Sequence, residues 1–317
     1  MLMYQNTAYK NCRLCPRLCQ INRTGNNRTA KTGFCRETDQ LRVGYLGPHF
    51  GEEPPITGKY GSGTVFLSGC SLKCSFCQNY QISHEGLGRS MGPEELLRRL
   101  IKMIELRHVH NINFVTPDHF LPHIDHLVST LRNRGYDLPV VFNTSGYQSL
   151  EMLKSARNCT DIYLPDFKYS DSDLASNLSK CLDYPEVALD AITEMVRQKG
   201  FLDVFQTHDK LAGKGVLVRH MILPGHVENS INVLSCLFIE FGKGLPVSLM
   251  SQYHPVRDHD DKNLNRKIRN REFYRVYAHA QELGFDHLFV QFPEKKPDHP
   301  SQTSPYLPDF NQAEPFG

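Results

Sequence analysis

Three cysteines spaced CxxxCxxC, Cys70, Cys74 and Cys77 in SGCSLKCSFCQNY, follow directly on the apolar run TVFLS and constrain this 317-residue chain more than any other feature. Three thiolates ligate three irons of a four-iron cubane and leave the fourth open, whereas a four-cysteine set makes a closed electron-transfer centre. An open position accepts a substrate or cofactor. The alternative for the same residues is a three-cysteine zinc site completed by a histidine such as His84, although zinc sites favour paired CxxC units.

The other cysteines sort by position. Cys12, Cys15 and Cys19 form CxxCxxxC with Cys35 further on, enough ligands for a structural zinc or an auxiliary iron–sulfur cluster. Spacing leaves that choice open. Either centre would be closed, supplying folding energy or an electron relay. Cys159, Cys181 and Cys236 stand alone and read as small buried hydrophobes. Crowding of cysteines near the start of a long chain, behind an N-terminus without an apolar leader, argues for metal ligation over disulfides and for a cytoplasmic protein. No stretch approaches the roughly 18 apolar residues of a membrane span.

Lys plus Arg number 36 against 34 Asp plus Glu, a formal charge of +2, so no general attraction to nucleic acid or anionic lipid is expected. Small molecules or proteins are the expected partners. Arg13, Arg17, Arg23 and Arg28 among the first cysteines read as a solvated face, because no aromatics are interleaved for base stacking.

The chain divides into a Cys-rich metal-binding module over 1–55, a core over 56–291 and a Pro-rich extended tail over 292–317. Residues 1–55 show no sustained period. In the core, the short apolar runs TVFLS, INFV, PVVF, IYLP, VLVRHMIL and PVSLM alternate with amphipathic stretches, the rhythm of βα units around a parallel sheet. GPEELLRRLIKMIELRH carries Pro93 at a first helical position, with Leu96, Leu97, Leu100, Ile101 and Ile104 on one face. Further helices are predicted over roughly 120–134, 184–199, 229–241 and 270–283. QTHDKLAGKG at 206–215 reads as a turn before the fifth strand, and the tail as a polar segment running over the surface. The fold class is therefore α/β, a partial TIM-like (β/α)6 barrel with a small N-terminal metal-binding module and a Pro-rich C-terminal tail.

Sites in such barrels gather at the carboxyl ends of the strands. The candidates there are Asn143-Thr144-Ser145-Gly146 after PVVF, Asp166-Phe167-Lys168 after IYLP, Arg219 in the fifth run and His254 after the sixth. A lysine and an arginine on neighbouring strand ends repel unless an anion lies between them.

CxxxCxxC on the loop after the first strand of a βα series resembles the radical S-adenosylmethionine (SAM) superfamily. Residues 12 to about 292 are similar to its pyruvate formate-lyase activating enzyme-like group. The nearest likeness is to an uncharacterised branch with a start like NCRLCPRLCQINRTGNNRTAKTGFC, then EEPPITGKYGSGTVFLSGCSLKCSFCQNYQIS, and YLPDFN near the end. The resemblance implies a 4Fe–4S cluster on Cys70, Cys74 and Cys77 and SAM chelating its open iron. One electron, from a reductant such as flavodoxin or ferredoxin, then cleaves SAM to methionine and a 5′-deoxyadenosyl radical that abstracts hydrogen. The implied target is a glycine of a glycyl-radical enzyme, another peptide or a small molecule.

The resemblance also implies that Lys168 reaches the SAM carboxylate, with Asp166 orienting it, and that Arg219 and His254 line the barrel mouth. Phe76 would lie against the adenine, a role weighed against core packing. Asn143 stands where the group has an acidic residue. Gly-Gly-Glu, which binds the SAM amino group in many relatives, is replaced by Thr116-Pro117-Asp118, leaving Asp118 or backbone carbonyls for that contact. His119 and His123 read as surface or substrate-side residues. Two rival readings remain at this point: a non-catalytic iron–sulfur electron carrier, and a zinc-stabilised nucleic-acid-binding protein.

Overall fold

The computed structural model describes residues 7–25, 30–203, 210–293 and 307–316. Strands β2 (Ser62–Leu67), β4 (Ile112–Val115), β5 (Val140–Thr144) and β6 (Ile162–Pro165) pair in parallel in that order, and β7 (Gly215–Val216) follows β6. The fifth apolar run changes partners midway. Its continuation β8 (Val218–Met221) pairs with β9 (Val247–Met250), which pairs with β10 (Leu288–Gln291). The Leu217 amide still donates to Tyr163, and Asp166 bridges Arg219, so the two sheets curve into one another. The result is the mostly parallel sheet of a partial TIM-like barrel.

All six predicted strands form, and β2, β4 and β6 are buried at every position, as a sheet covered on both faces requires. Helices α1 (Pro93–Arg107), α2 (Leu121–Asn133), α5 (Tyr184–Lys199), α6 (Val227–Phe241) and α7 (Asn270–Leu283) match the amphipathic stretches. In α1, Pro93 starts the helix, Glu94 and Glu95 suit its positive end and Arg107 its negative end, while Leu96, Leu97, Leu100, Met103 and Ile104 are buried. Short helices not read from the sequence include α3 (Leu150–Ala156), capped by Ser149, and α4 (Ser172–Ser179), capped by Asp171.

The structure differs from the sequence reading at the sheet's edges. β1 (Arg42–His49), in a stretch without evident period, pairs antiparallel with β2 and carries the two-residue β3 (Arg89–Ser90) on its outer edge. β2 is thus flanked by β1 and β4, and the ring does not close through it. β10 adds a seventh parallel strand.

The tail also departs from expectation. Phe310 is only 6% exposed and packs with Phe66, Ile82 and Val115, and the Phe316 ring lies 4.2 Å from His49. The Gln81 amide fixes the turn, donating to Asp309 Oδ1 at 2.9 Å and accepting from the Phe310 amide at 2.8 Å. Polar composition concealed an aromatic anchor. Residues 206–209 of the predicted turn, and Arg28, lie outside the described residues.

Arg23 and Arg17 are not a solvated face. Arg23 is fully buried, and Arg17 clamps the N-terminal segment to the loop after β2 through Ser71 O and to the end of α4 through Ser179 O and Lys180 O. Its guanidinium stacks 3.9 Å over Phe34.

Candidate active site

The loop after β2 brings Cys70, Cys74 and Cys77 to one wall of a cavity of about 190 Å³, shared with Phe76, Asn143, Asp166, Lys168 and Arg219. The three thiols are unbridged, two buried and Cys77 half-buried. Burial, with the neighbouring Cys77 and Cys74 adding to it, pushes the Cys70 thiol up to about 12. Burial and Cys74 also raise Cys77, against the Ser83 hydroxyl, which donates to its Sγ at 3.2 Å, and the charge of Lys168. Such thiols become thiolates when a metal takes the proton's place.

Among the described residues no three His, Cys, Asp or Glu side chains meet closely enough to hold a single ion. A cubane asks for something else, sulfurs spread around a volume on separate irons. His84, the zinc alternative's fourth ligand, has both ring nitrogens engaged, Nε2 3.0 Å from Cys74 O and Nδ1 3.5 Å from Arg257.

Across the cavity, the strand ends carry charge. Lys168 Nζ donates to Asp166 Oδ2 at 2.5 Å, while Arg219 Nη1 donates to Glu52 Oε2 at 2.8 Å. Asp166 Oδ1 and Glu53 Oε1 lie 3.8 and 3.6 Å from Arg219 Nε. Burial opposes both cations, but Asp166 and then Cys74 keep Lys168 above its ordinary range, and Glu53, Glu52 and Asp166 do the same for Arg219. The anion expected between the two cations is thus one the protein itself supplies, Asp166.

Local backbone fixes these groups. Gly146 has φ +80, and a Cβ there would sit 2.0 Å from Asp166 O, so only glycine lets the loops after β5 and β6 touch. The buried Tyr184 hydroxyl accepts from the Lys168 amide at 2.9 Å and lies 2.8 and 2.9 Å from Ser145 O and Asp166 O, tying the same two loops.

Phe76 is buried, lines the cavity and also packs edge-on to Tyr169 at 6.3 Å, as its core-packing setting requires. His254 is not among the cavity-lining residues. Its Nδ1 is 3.1 Å from Gln252 O, and Gln252 lines the wall there.

At the end of β4, Thr116 lines the cavity with φ +58, a costly conformation for a β-branched residue. Asp118 does not line it. It is fully buried behind the loop, 3.2 Å from Ser71 Oγ and 3.1 Å from the Gln148 amide. Nor are the two histidines on the surface: His119 is 1% exposed with Nε2 2.7 Å from Ser68 O, and His123 Nε2 is 2.6 Å from Asp39 O.

Sequence reasoning missed Glu52, Gln78, Gln252 and Phe316, all of which line the cavity. Glu52 lies just after β1, a strand not read from the sequence, and only the paired acids before Pro54 and Pro55 hinted at it.

A sequence model of the Radical SAM superfamily matches residues 64–235, more than half of the chain. The chain belongs to the Radical SAM superfamily. Membership implies an enzyme that uses a 4Fe–4S cluster and SAM. The chain is 25% identical over 289 residues to the uncharacterized protein MJ0674 of Methanocaldococcus jannaschii, covering 89% of this chain and 77% of that one. Among solved structures it is similar to HydG, a maturase of the [FeFe]-hydrogenase (TM-score 0.49, 15% identity, 74% of this chain and 52% of that one). It is also similar to Streptococcus suis SuiB bound to S-adenosylmethionine (TM-score 0.43, 12% identity, 73% and 46%). The radical SAM chain thus spans about half the length of each. No described helix is long and apolar enough to cross a membrane.

Proposed function

We propose that Cys70, Cys74 and Cys77 hold the 4Fe–4S cluster, that SAM binds against Asp166, Lys168 and Arg219, and that the enzyme abstracts a hydrogen atom from a protein or small-molecule substrate. The observation that carries this reading is the placement of three unbridged thiols and these three charged groups around one cavity at the carboxyl ends of the strands. Bound there, the cluster and SAM supply one-electron cleavage to a 5′-deoxyadenosyl radical.

The chain's own residues bind, orient and exclude water. Three thiols fill three ligand positions and leave one for a group from outside. Lys168 offers an ammonium to a carboxylate while Asp166 holds it in place, and Arg219 is aimed by Glu52. Phe76, Met221, Leu223 and Met250 give the cavity apolar walls, and Pro308 and Phe316 of the tail help to enclose it.

The resemblance to the pyruvate formate-lyase activating enzymes supports a glycine of a glycyl-radical enzyme as one substrate, and a flavodoxin or ferredoxin as electron donor. A second metal centre, zinc or iron–sulfur, on Cys12, Cys15, Cys19 and Cys35 belongs to the same proposal.

The test is anaerobic reconstitution with iron and sulfide, chemical reduction, and assay for 5′-deoxyadenosine and methionine from added SAM. Well-reduced protein that yields neither product overturns the reading. Deuterium transfer into 5′-deoxyadenosine from labelled candidates then identifies the substrate.

A further inference from the structure

We infer that Arg23 and Lys73 are counter-cations of a tetrathiolate metal centre on Cys12, Cys15, Cys19 and Cys35, and that Lys73, placed between this centre and Cys70, couples the two centres electrostatically. The inference rests on the proposed assignment of both cysteine sets to metals and adds the charge logic that joins them.

Arg23 has no exposed surface. Its guanidinium donates to Glu37 O at 3.0 Å, His119 O at 2.9 Å, Thr38 O at 2.7 Å and Cys12 Sγ at 3.4 Å. None of these partners is a carboxylate. Carbonyl oxygens solvate a buried cation without neutralising it, and an uncompensated buried charge is expensive.

Lys73 poses the same problem more sharply. Its Nζ is buried without a hydrogen-bond partner among the described residues, and the groups whose charge it feels are Arg36, Cys70, Cys35 and Glu37. Glu37 is already committed, accepting from Arg42 at 2.5 and 3.2 Å. Both cations therefore lie beside cysteines, and the one acid that feels them both, Glu37, is already paired with Arg42.

Cysteine supplies negative charge as thiolate, and metal coordination is what stabilises the thiolate of a buried cysteine. Four thiolates around an oxidised 4Fe–4S core, one sulfur to each iron, leave a net charge of about −2, which balances Arg23 and Lys73. The local backbone is consistent with ligand loops held by something other than propensity. Leu18 and Gln20, either side of Cys19, and Arg36, next to Cys35, all take left-handed φ of 42, 52 and 63°.

The two cysteine segments also touch. A Cβ on Gly69, next to Cys70, would lie 2.8 Å from Cys35 O and 2.4 Å from Glu37 Cγ, and Arg17 donates to Ser71 O at 3.0 Å. Lys73 belongs to the CxxxCxxC loop itself while feeling Cys35 on the other side. One ammonium thus serves both thiolate sets. Its positive charge favours the reduced, more negative state of each, so removing it should lower the midpoint potential of the cluster on Cys70, Cys74 and Cys77.

The experiment uses the full chain, prepared anaerobically, as wild type, Cys35→Ser, Cys70→Ser, Lys73→Met and Lys73→Arg. Iron, zinc and acid-labile sulfide are counted per chain, and the midpoint potential is read by redox titration followed by electron paramagnetic resonance. The expected result is a second set of iron and sulfide that Cys35→Ser loses while keeping the first cluster. Lys73→Met should shift the first cluster's midpoint to more negative potential, and Lys73→Arg should restore it. Metal content unchanged in Cys35→Ser overturns the second centre. A midpoint unmoved by Lys73→Met, or equally displaced in Lys73→Arg, overturns the coupling. Iron unchanged in Cys70→Ser is a different failure, that of the underlying cluster assignment.

Discussion

Glu52 and Arg219 form a buried ion pair, Oε2 to Nη1 at 2.8 Å, although 167 residues separate them. Arg219 sits on β8, where the two sheets meet, and Glu52 arrives on the segment between β1 and β2. The other oxygen of the same carboxylate accepts from Asn113 at 3.0 Å and Asn143 at 3.2 Å. One acid therefore orients three polar side chains from three strands, two of which line the cavity.

Removing one partner of such a pair and leaving the other charged and uncompensated costs roughly 3–5 kcal/mol; Arg219→Met strands Glu52 and Glu53, whereas Glu52→Gln leaves Arg219 still facing Glu53 and Asp166. Arg219→Met should lower the unfolding free energy by about that much, and Glu52→Gln by less. The double variant should lose clearly less than the sum. Chemical denaturation of all four proteins checks this, and strict additivity would refute the pairing.

The tail anchor makes a separable prediction. Phe310→Ala should cost about 3–5 kcal/mol of local stability, and Gln81→Ala about 1–3 kcal/mol through two lost hydrogen bonds. Hydrogen exchange should report faster exchange of the Phe310 amide and of β1, with α5 to α7 unchanged. Protection of 307–316 identical to wild type in both variants would mean the anchor carries no weight.

How much of this was legible in the sequence depended on periodicity. TVFLS, INFV and IYLP could be read because strands buried on both faces need uninterrupted apolar runs, and α1 because Leu96, Leu97 and Leu100 share a face with Pro93 in front. β1 was missed because its burial is irregular, with Val43, Tyr45 and Leu46 giving only weak apolar cues on a half-exposed strand. In the site, the cysteines and strand-end residues announced themselves by type and spacing. Glu52 could not, since its role comes from a tertiary approach that no local pattern encodes. Asp118, His119 and Arg23 misled for a related reason: charged residues are buried only where partners from distant segments meet them, here Ser71, Ser68 and Thr38.

The assignment of the cysteine loop predicts a selective lesion. Cys74→Ser should lose about four irons per chain and reduce SAM cleavage to background, leaving metal on Cys12, Cys15, Cys19 and Cys35 in place. Iron analysis and the 5′-deoxyadenosine assay measure both. Full cleavage by this variant would refute Cys74 as a ligand.

Asp118 should make stability depend on pH. Burial raises its carboxyl to about 6, against the Gln148 and Ser71 hydrogen bonds that pull it down. In the unfolded chain the same group titrates near 3.9. Between those values the folded chain holds a proton that the unfolded chain has released, so this group's contribution to stability falls as pH rises from about 4 to about 6 and stays low above that. Asp118→Asn keeps an oxygen acceptor for Gln148, turns an amide donor toward the Ser71 hydroxyl, which can accept, and removes the titration. Relative to wild type it should be nearly neutral at pH 4.5 and more stable by roughly 1–3 kcal/mol at pH 7.5. Denaturation midpoints at the two pH values decide the matter, because a purely steric or hydrogen-bonding effect would give the same difference at both.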